Sequence, residues 1–125
     1  MTTFAAPLPR APEAAGAARR LVEIHADGLS AAQRDDAGLM VSELVTNALL
    51  HGEGAIGIRI TSDPQHLTIE VADDGQGKVA ITPVPSAFGG WGLRIVDELA
   101  DSWGVRAGST HVWFRLRLGR GQDLR

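Results

Sequence analysis

The fold class that this 125-residue chain predicts is an α+β two-layer sandwich. It would have a mostly antiparallel sheet of about four or five strands, with about three helices on one face. Three observations predict it. Two helical patterns follow one another near the start, two alternating strand-like runs joined by turn residues come next, and a third helical pattern precedes a last pair of strand-like runs.

Residues 1–10 are rich in Ala, Pro and Thr and read as a tail or a short edge strand. From Ala11 the run through His25 is helical, with Pro12 in its first turn and an end near Asp27-Gly28. Ser30 opens the second helix, with Gln33 at the capping-box position. That helix carries Ala37, Met40, Val41, Leu44, Val45 and Ala48 in helical spacing and runs to about His51, stopping at Gly52.

Ile56-x-Ile58-x-Ile60 and Leu67-x-Ile69-x-Val71 alternate, and Ser62-Asp63-Pro64-Gln65 between them is turn chemistry, so they read as an antiparallel hairpin. The stretch from about Lys78 to Gly90 has no periodicity and reads as a loop. Leu93, Val96, Leu99 and Ala100 fall in helical register within 92–100. Strands over about Trp103 to Ala107 and His111 to Leu118 complete the domain, which spans 11–118, and 119–125 reads as a tail.

Composition narrows the function classes. The length fits one domain, and a hydrophobic content of 44% supplies a single core. A net charge of -3 argues against a nucleic-acid surface as the main activity, although Arg115, Arg117, Arg120 and Arg125 make the end locally basic. There is no cysteine, which excludes disulfides, thiolate metal sites and cysteine nucleophiles. His25, His51, His66 and His111 lack the spacing of a metal site. No apolar run approaches the roughly 20 residues that cross a bilayer, and no basic-then-apolar leader opens the chain, so a cytoplasmic location is expected.

Three elements are able to carry chemistry. On the second helix Glu43 and Asn47 stand four apart, roughly 40 degrees from one another around the axis, at the margin of the apolar stripe. They can converge on one bound group, and they equally fit the polar edge of an amphipathic helix. In the second strand of the hairpin, alternation places Asp73 on the face of Leu67, Ile69 and Val71, aiming a carboxylate toward the core. A buried charge needs a specific partner. Asp74-Gly75-Gln76-Gly77 then turns the chain, which an ordinary strand exit would also do.

The third element is Gly89-Gly90-Trp91-Gly92-Leu93-Arg94, glycines directly before a helix. Free amides and the positive end of a helix dipole make such a junction suited to anions, although a flexible loop entering a helix has the same composition. It is neither a Walker loop nor the dinucleotide fingerprint.

In this order the three elements resemble the motifs of the superfamily containing gyrase, heat-shock chaperones, histidine kinases and mismatch-repair proteins, the Bergerat (GHKL) fold. Glu43 to His51 looks like its N box, Asp73 to Gly77 its first glycine box and Gly90 to Ile95 its second. Within that superfamily, Val41 to Ala48 and Val112 to Phe114 resemble the stand-alone anti-sigma-factor serine kinases. The length fits that branch, since sensor kinases and topoisomerases use additional domains.

The resemblance implies an ATP site with Mg2+. Asp73 would accept a hydrogen bond from the adenine amino group, supported by Thr110 through water, while Gly75 and Gly77 let the chain wrap the base. Asn47 would ligate the magnesium ion, and Gly90, Gly92 and the amide of Leu93 would hold the phosphates. Glu43 would orient or deprotonate the attacking hydroxyl. The acceptor would be a Ser or Thr of an anti-anti-sigma (STAS-type) protein, with a sigma factor as second partner and a homodimer as the assembly.

This chain departs from many relatives in having Trp91 where they place Arg, and in a base-poor segment from Lys78 to Ala87. Lys78 and Arg94 are the remaining candidates to offset phosphate charge. Two alternatives share the site: an ATP-gated binding module with little or no phosphotransfer, and a simple ATP hydrolase.

Overall fold

The computed structural model describes residues 1–75, 91–106 and 110–118. Five strands and three helices occur in the order β1 (Thr2–Leu8), α1 (Ala14–His25), α2 (Ala31–His51), β2 (Ile56–Ser62), β3 (His66–Ala72), α3 (Trp91–Leu99), β4 (Ser102–Val105) and β5 (Val112–Arg117). The strands form one sheet in the order β1-β2-β3-β5-β4. Every pairing in it is antiparallel. The predicted α+β sandwich is therefore the observed fold, and the opening residues are an edge strand paired along β2.

The predicted loop from Lys78 to Gly90 and the tail at 119–125 lie outside the described residues, as does Ala107 at the predicted end of β4. α1 starts later than its sequence pattern. Pro12 sits in a turn closed by the Ala14 amide on the Ala11 carbonyl at 3.0 Å, and the helix begins only at Ala14. Gly28 has φ +88, a left-handed conformation that suits glycine in the link to α2.

α2 begins as its sequence indicates. The Ser30 hydroxyl accepts from the Gln33 amide and the Gln33 side chain accepts from the Ser30 amide, both at 3.1 Å. These reciprocal bonds occupy two amides that the first turn would otherwise leave without acceptors. The Gln33 amide nitrogen also donates to the Arg117 carbonyl at 2.7 Å, tying the start of α2 to the end of β5.

One row of side chains crosses the sheet beneath the helices. Phe4 pairs with Ile60, Ile60 with Ile69, Ile69 with Phe114 and Phe114 with Trp103. Ile60, Ile69 and Phe114 are fully buried in this row, and α2 covers it with Met40, Val41, Leu44 and Val45. α1 contributes the small buried residues Ala14 and Ala18 with Val22, which lets it lie close to α2. The other sheet face carries exposed Thr3, Ala5, Pro7, Arg59, Arg115 and Arg117.

Strand alternation puts Glu70 on that open face, yet it is only 7% exposed. Arg106 donates to its carboxylate and His111 Nδ1 lies 3.4 Å from it, so these two side chains cover it. None of the described helices is long and apolar enough to cross a membrane.

Candidate functional site

The antiparallel hairpin decides where the site is. Gly57 at the start of β2 pairs with Ala72 at the end of β3, so the link from α2 into β2 lies beside the turn leaving β3. Consequently the C-terminal turn of α2 and the Asp73 turn share one edge of the domain.

Asp73 is half-buried, one residue past the end of β3. Its carboxylate turns to the helical side, where it occupies the space a β-carbon at Gly52 would fill. Gly52 ends α2, donating its amide to the Ala48 carbonyl at 2.9 Å. Asp73 Oδ1 accepts from the Gly75 amide at 2.6 Å, so part of the partnering demanded by an inward carboxylate is met inside the turn itself.

Thr110 is buried and stands directly on this turn. Its hydroxyl donates to the Asp73 carbonyl at 3.1 Å. A β-carbon at Gly75 would lie 2.8 Å from Asp73 Oδ1 and 3.0 Å from Thr110 Cγ2. Glycine at 75 therefore permits the close approach of the carboxylate, the threonine and the chain.

Asp74, which the sequence offered only as a turn residue, anchors the turn from the other side. Its amide donates to the Glu53 carbonyl at 2.8 Å and its Oδ2 accepts from the Ala55 amide at 2.8 Å. Gly54 between them has φ +68, and a β-carbon there would collide with Asp74. The α2–β2 link and the β3 exit are thus latched together.

Glu43 and Asn47 lie one turn apart on α2, both half-buried, beside buried Leu44 and Ala48. Neither side chain makes a hydrogen bond or ion pair with another described residue. Their side chains stand within reach of one bound group, as helix spacing requires of residues four apart. An amide oxygen and a carboxylate so placed suit a hard cation and a hydroxyl proton.

α3 begins at Trp91 and packs against α2. Leu93 is buried in the core at 6% exposure, which fixes the first turn of α3, where amides have no acceptor within the helix. Arg94 lies on the exposed side of α3, its Nε 3.6 Å from Glu98 Oε2. Gly92 is the second residue of this helix, whereas Gly77, Lys78 and Gly90 lie outside the described residues.

The sequence reading missed three residues that shape this edge: Gly52, Asp74 and Arg10. Gly52 was legible as a helix stop but not as room for a carboxylate. Arg10 donates to the Gly54, Leu49 and Ala48 carbonyls, and a side chain bound to main-chain oxygens leaves no pattern in its partners' identities.

Residues 8–116 match the family model of the histidine kinase-like ATPase domain. The chain belongs to that family. This histidine kinase-like ATPase domain also superposes on the crystal structure of the RsbU and RsbW domains of Rv1364c from Mycobacterium tuberculosis. The TM-score is 0.66 with 19% sequence identity, over 94% of this chain and 32% of that one. That similarity establishes the fold, and the chain spans about a third of the length of its structural neighbour. No curated protein matches it.

Proposed function

We propose that this histidine kinase-like ATPase domain is a regulatory protein that binds ATP with Mg2+. It transfers the γ-phosphate to a Ser or Thr of an anti-anti-sigma (STAS-type) partner and, in its other state, sequesters a sigma factor. The observation that carries the phosphotransfer reading is the Glu43–Asn47 pair: half-buried, one helical turn apart, with side chains bonded to none of the described residues. A solvated polar edge needs neither partial burial nor a carboxylate next to an amide.

In this reading Asp73 accepts the adenine amino group, held in place by Gly75, Gly52 and Thr110. Guanine presents a carbonyl at the same position and would meet the carboxylate as acceptor against acceptor. Asn47 contributes one ligand to Mg2+, a cation that keeps most of its contacts to water and phosphate oxygens. Bound there, it would screen phosphate charge. Glu43 orients the acceptor hydroxyl and takes its proton. The amides at the start of α3 and residues Gly77, Gly90, Lys78 and Arg94 are proposed phosphate contacts.

The RsbW domain within the structural neighbour and the motif resemblance support this assignment of partners, with a cytoplasmic homodimer as the working assembly. A second reading is an ATP-gated binding module with little phosphotransfer. Trp91, where many relatives place Arg, favours it. Incubation with γ-labelled ATP and candidate partner proteins separates the two. Label on a partner Ser or Thr supports the kinase. Nucleotide-dependent capture of a partner that stays unlabelled supports the binding module.

A further inference from the structure

We propose that Arg10 is a positioning residue for Asp73, setting adenine affinity and selectivity from outside the nucleotide site. This rests on the reading of Asp73 as the adenine acceptor. Arg10 lies in the link between β1 and α1, and its guanidinium reaches residues 38 to 44 positions away in sequence. Nε donates to the Gly54 carbonyl at 2.6 Å, Nη1 to the Leu49 carbonyl at 3.3 Å and Nη2 to the Ala48 carbonyl at 3.3 Å.

The last carbonyls of a helix have few donors within it, and Ala48 keeps a second lone pair beside its bond from the Gly52 amide, so a planar fork of N–H donors suits a cluster of them. Here one side chain binds two carbonyls of the final α2 turn and one of the link that follows. Each residue of that link has a tie: Glu53 and Ala55 to Asp74, and Gly54 to Arg10. Gly52, just before them, lies against the Asp73 carboxylate. Arg10, the α2 end, the link and the Asp73-Asp74 turn therefore form one continuous support.

Electrostatics points the same way. Asp73 and Asp74 set two carboxylates beside the C-terminal end of α2, the negative end of its dipole. The Arg10 charge sits on those same carbonyls and offsets the repulsion. Without it, the link and the carboxylate it supports lose both a tether and a compensating charge, so Asp73 is held less firmly where the amino group must find it.

Arg10→Ala, Arg10→Gln, Arg10→Lys and Asp73→Asn are compared with the wild type by competition binding of ATP and GTP with Mg2+, well below the unfolding temperature. Unfolding of each protein is also measured without nucleotide. Arg10→Ala is expected to weaken ATP about tenfold while leaving GTP nearly unchanged, so that the ATP-over-GTP preference falls by the same factor. Arg10→Lys should recover part of it, because it keeps the charge but not the fork.

If Arg10→Ala does not fold, Arg10→Gln carries the same expectation. A variant that unfolds at lower temperature yet keeps wild-type ATP affinity and preference would assign Arg10 to stability alone and overturn the proposal. The Asp73→Asn arm separates the two levels. Unchanged ATP preference there refutes the base-binding role of Asp73, whereas lost preference there with none lost in the Arg10 variants refutes Arg10 alone.

Discussion

The Asp73 carboxylate occupies the space that a side chain at Gly52 would fill, so the residue that ends α2 and the residue that leaves β3 are fitted to one another. Two elements far apart in sequence meet there because β2 and β3 pair as a hairpin with Gly57 opposite Ala72. The C-terminal end of α2 and the carboxylate of the turn thereby meet at one edge of the domain.

Gly52→Ala tests that fit. The backbone at Gly52 has φ -92, which alanine adopts freely, so the effect comes from the added carbon alone. That carbon would lie 2.6 Å from the Ala48 carbonyl oxygen and would displace the Asp73 carboxyl group. The expected cost is about 1 to 3 kcal/mol in denaturant unfolding, together with weaker ATP binding by calorimetry. Wild-type affinity in a correctly folded Gly52→Ala protein would show that the Asp73 position is immaterial.

Glu43→Gln keeps the size and polarity of the side chain but cannot take a proton. ATP affinity should stay near wild type while transfer to a partner hydroxyl falls by roughly two to four orders of magnitude, measured with γ-labelled ATP once a partner is in hand. Equal transfer by the variant removes Glu43 from the chemistry. A matching loss of affinity would instead make it a binding residue.

Asn47→Ala removes the amide oxygen offered to the metal. Wild-type protein should bind ATP more tightly with Mg2+ than with a chelator present, by about tenfold or more, and the variant should lose that difference. A variant as magnesium-dependent as the wild type would place the metal elsewhere.

Much of this was legible in the sequence because it follows from short-range rules. Ser30 with Gln33 marks the start of α2, and the spacing from Ala37 to Ala48 marks its buried face. Alternation in the hairpin gives both the inner row of the sheet and the side from which Asp73 departs. The N-terminal strand was harder, since Thr2–Leu8 includes a proline and is set by its pairing with β2.

Long-range polar contacts were not legible. Glu70 alternates as a solvent-facing residue and is buried by Arg106 and His111 from a different part of the chain. Arg10 bonds only to carbonyl oxygens, whose positions depend on the finished fold. Glu43 and Asn47 needed the family motif to distinguish them from other polar pairs on a helix, because spacing alone does not separate a site from a solvated edge.

The central claim is that Asp73 is the adenine acceptor of an ATP site, and thermal unfolding with and without Mg2+ and ATP tests it most directly in wild type and Asp73→Asn. Ligand at about 100 times its Kd stabilises a protein by about 2.7 kcal/mol, which for a domain of this size raises Tm on the order of 10 °C. The wild type should show that rise with ATP and a much smaller one with GTP, and Asp73→Asn should lose the ATP response. No ATP-dependent rise in the wild type, or an equal rise in Asp73→Asn, would contradict the account.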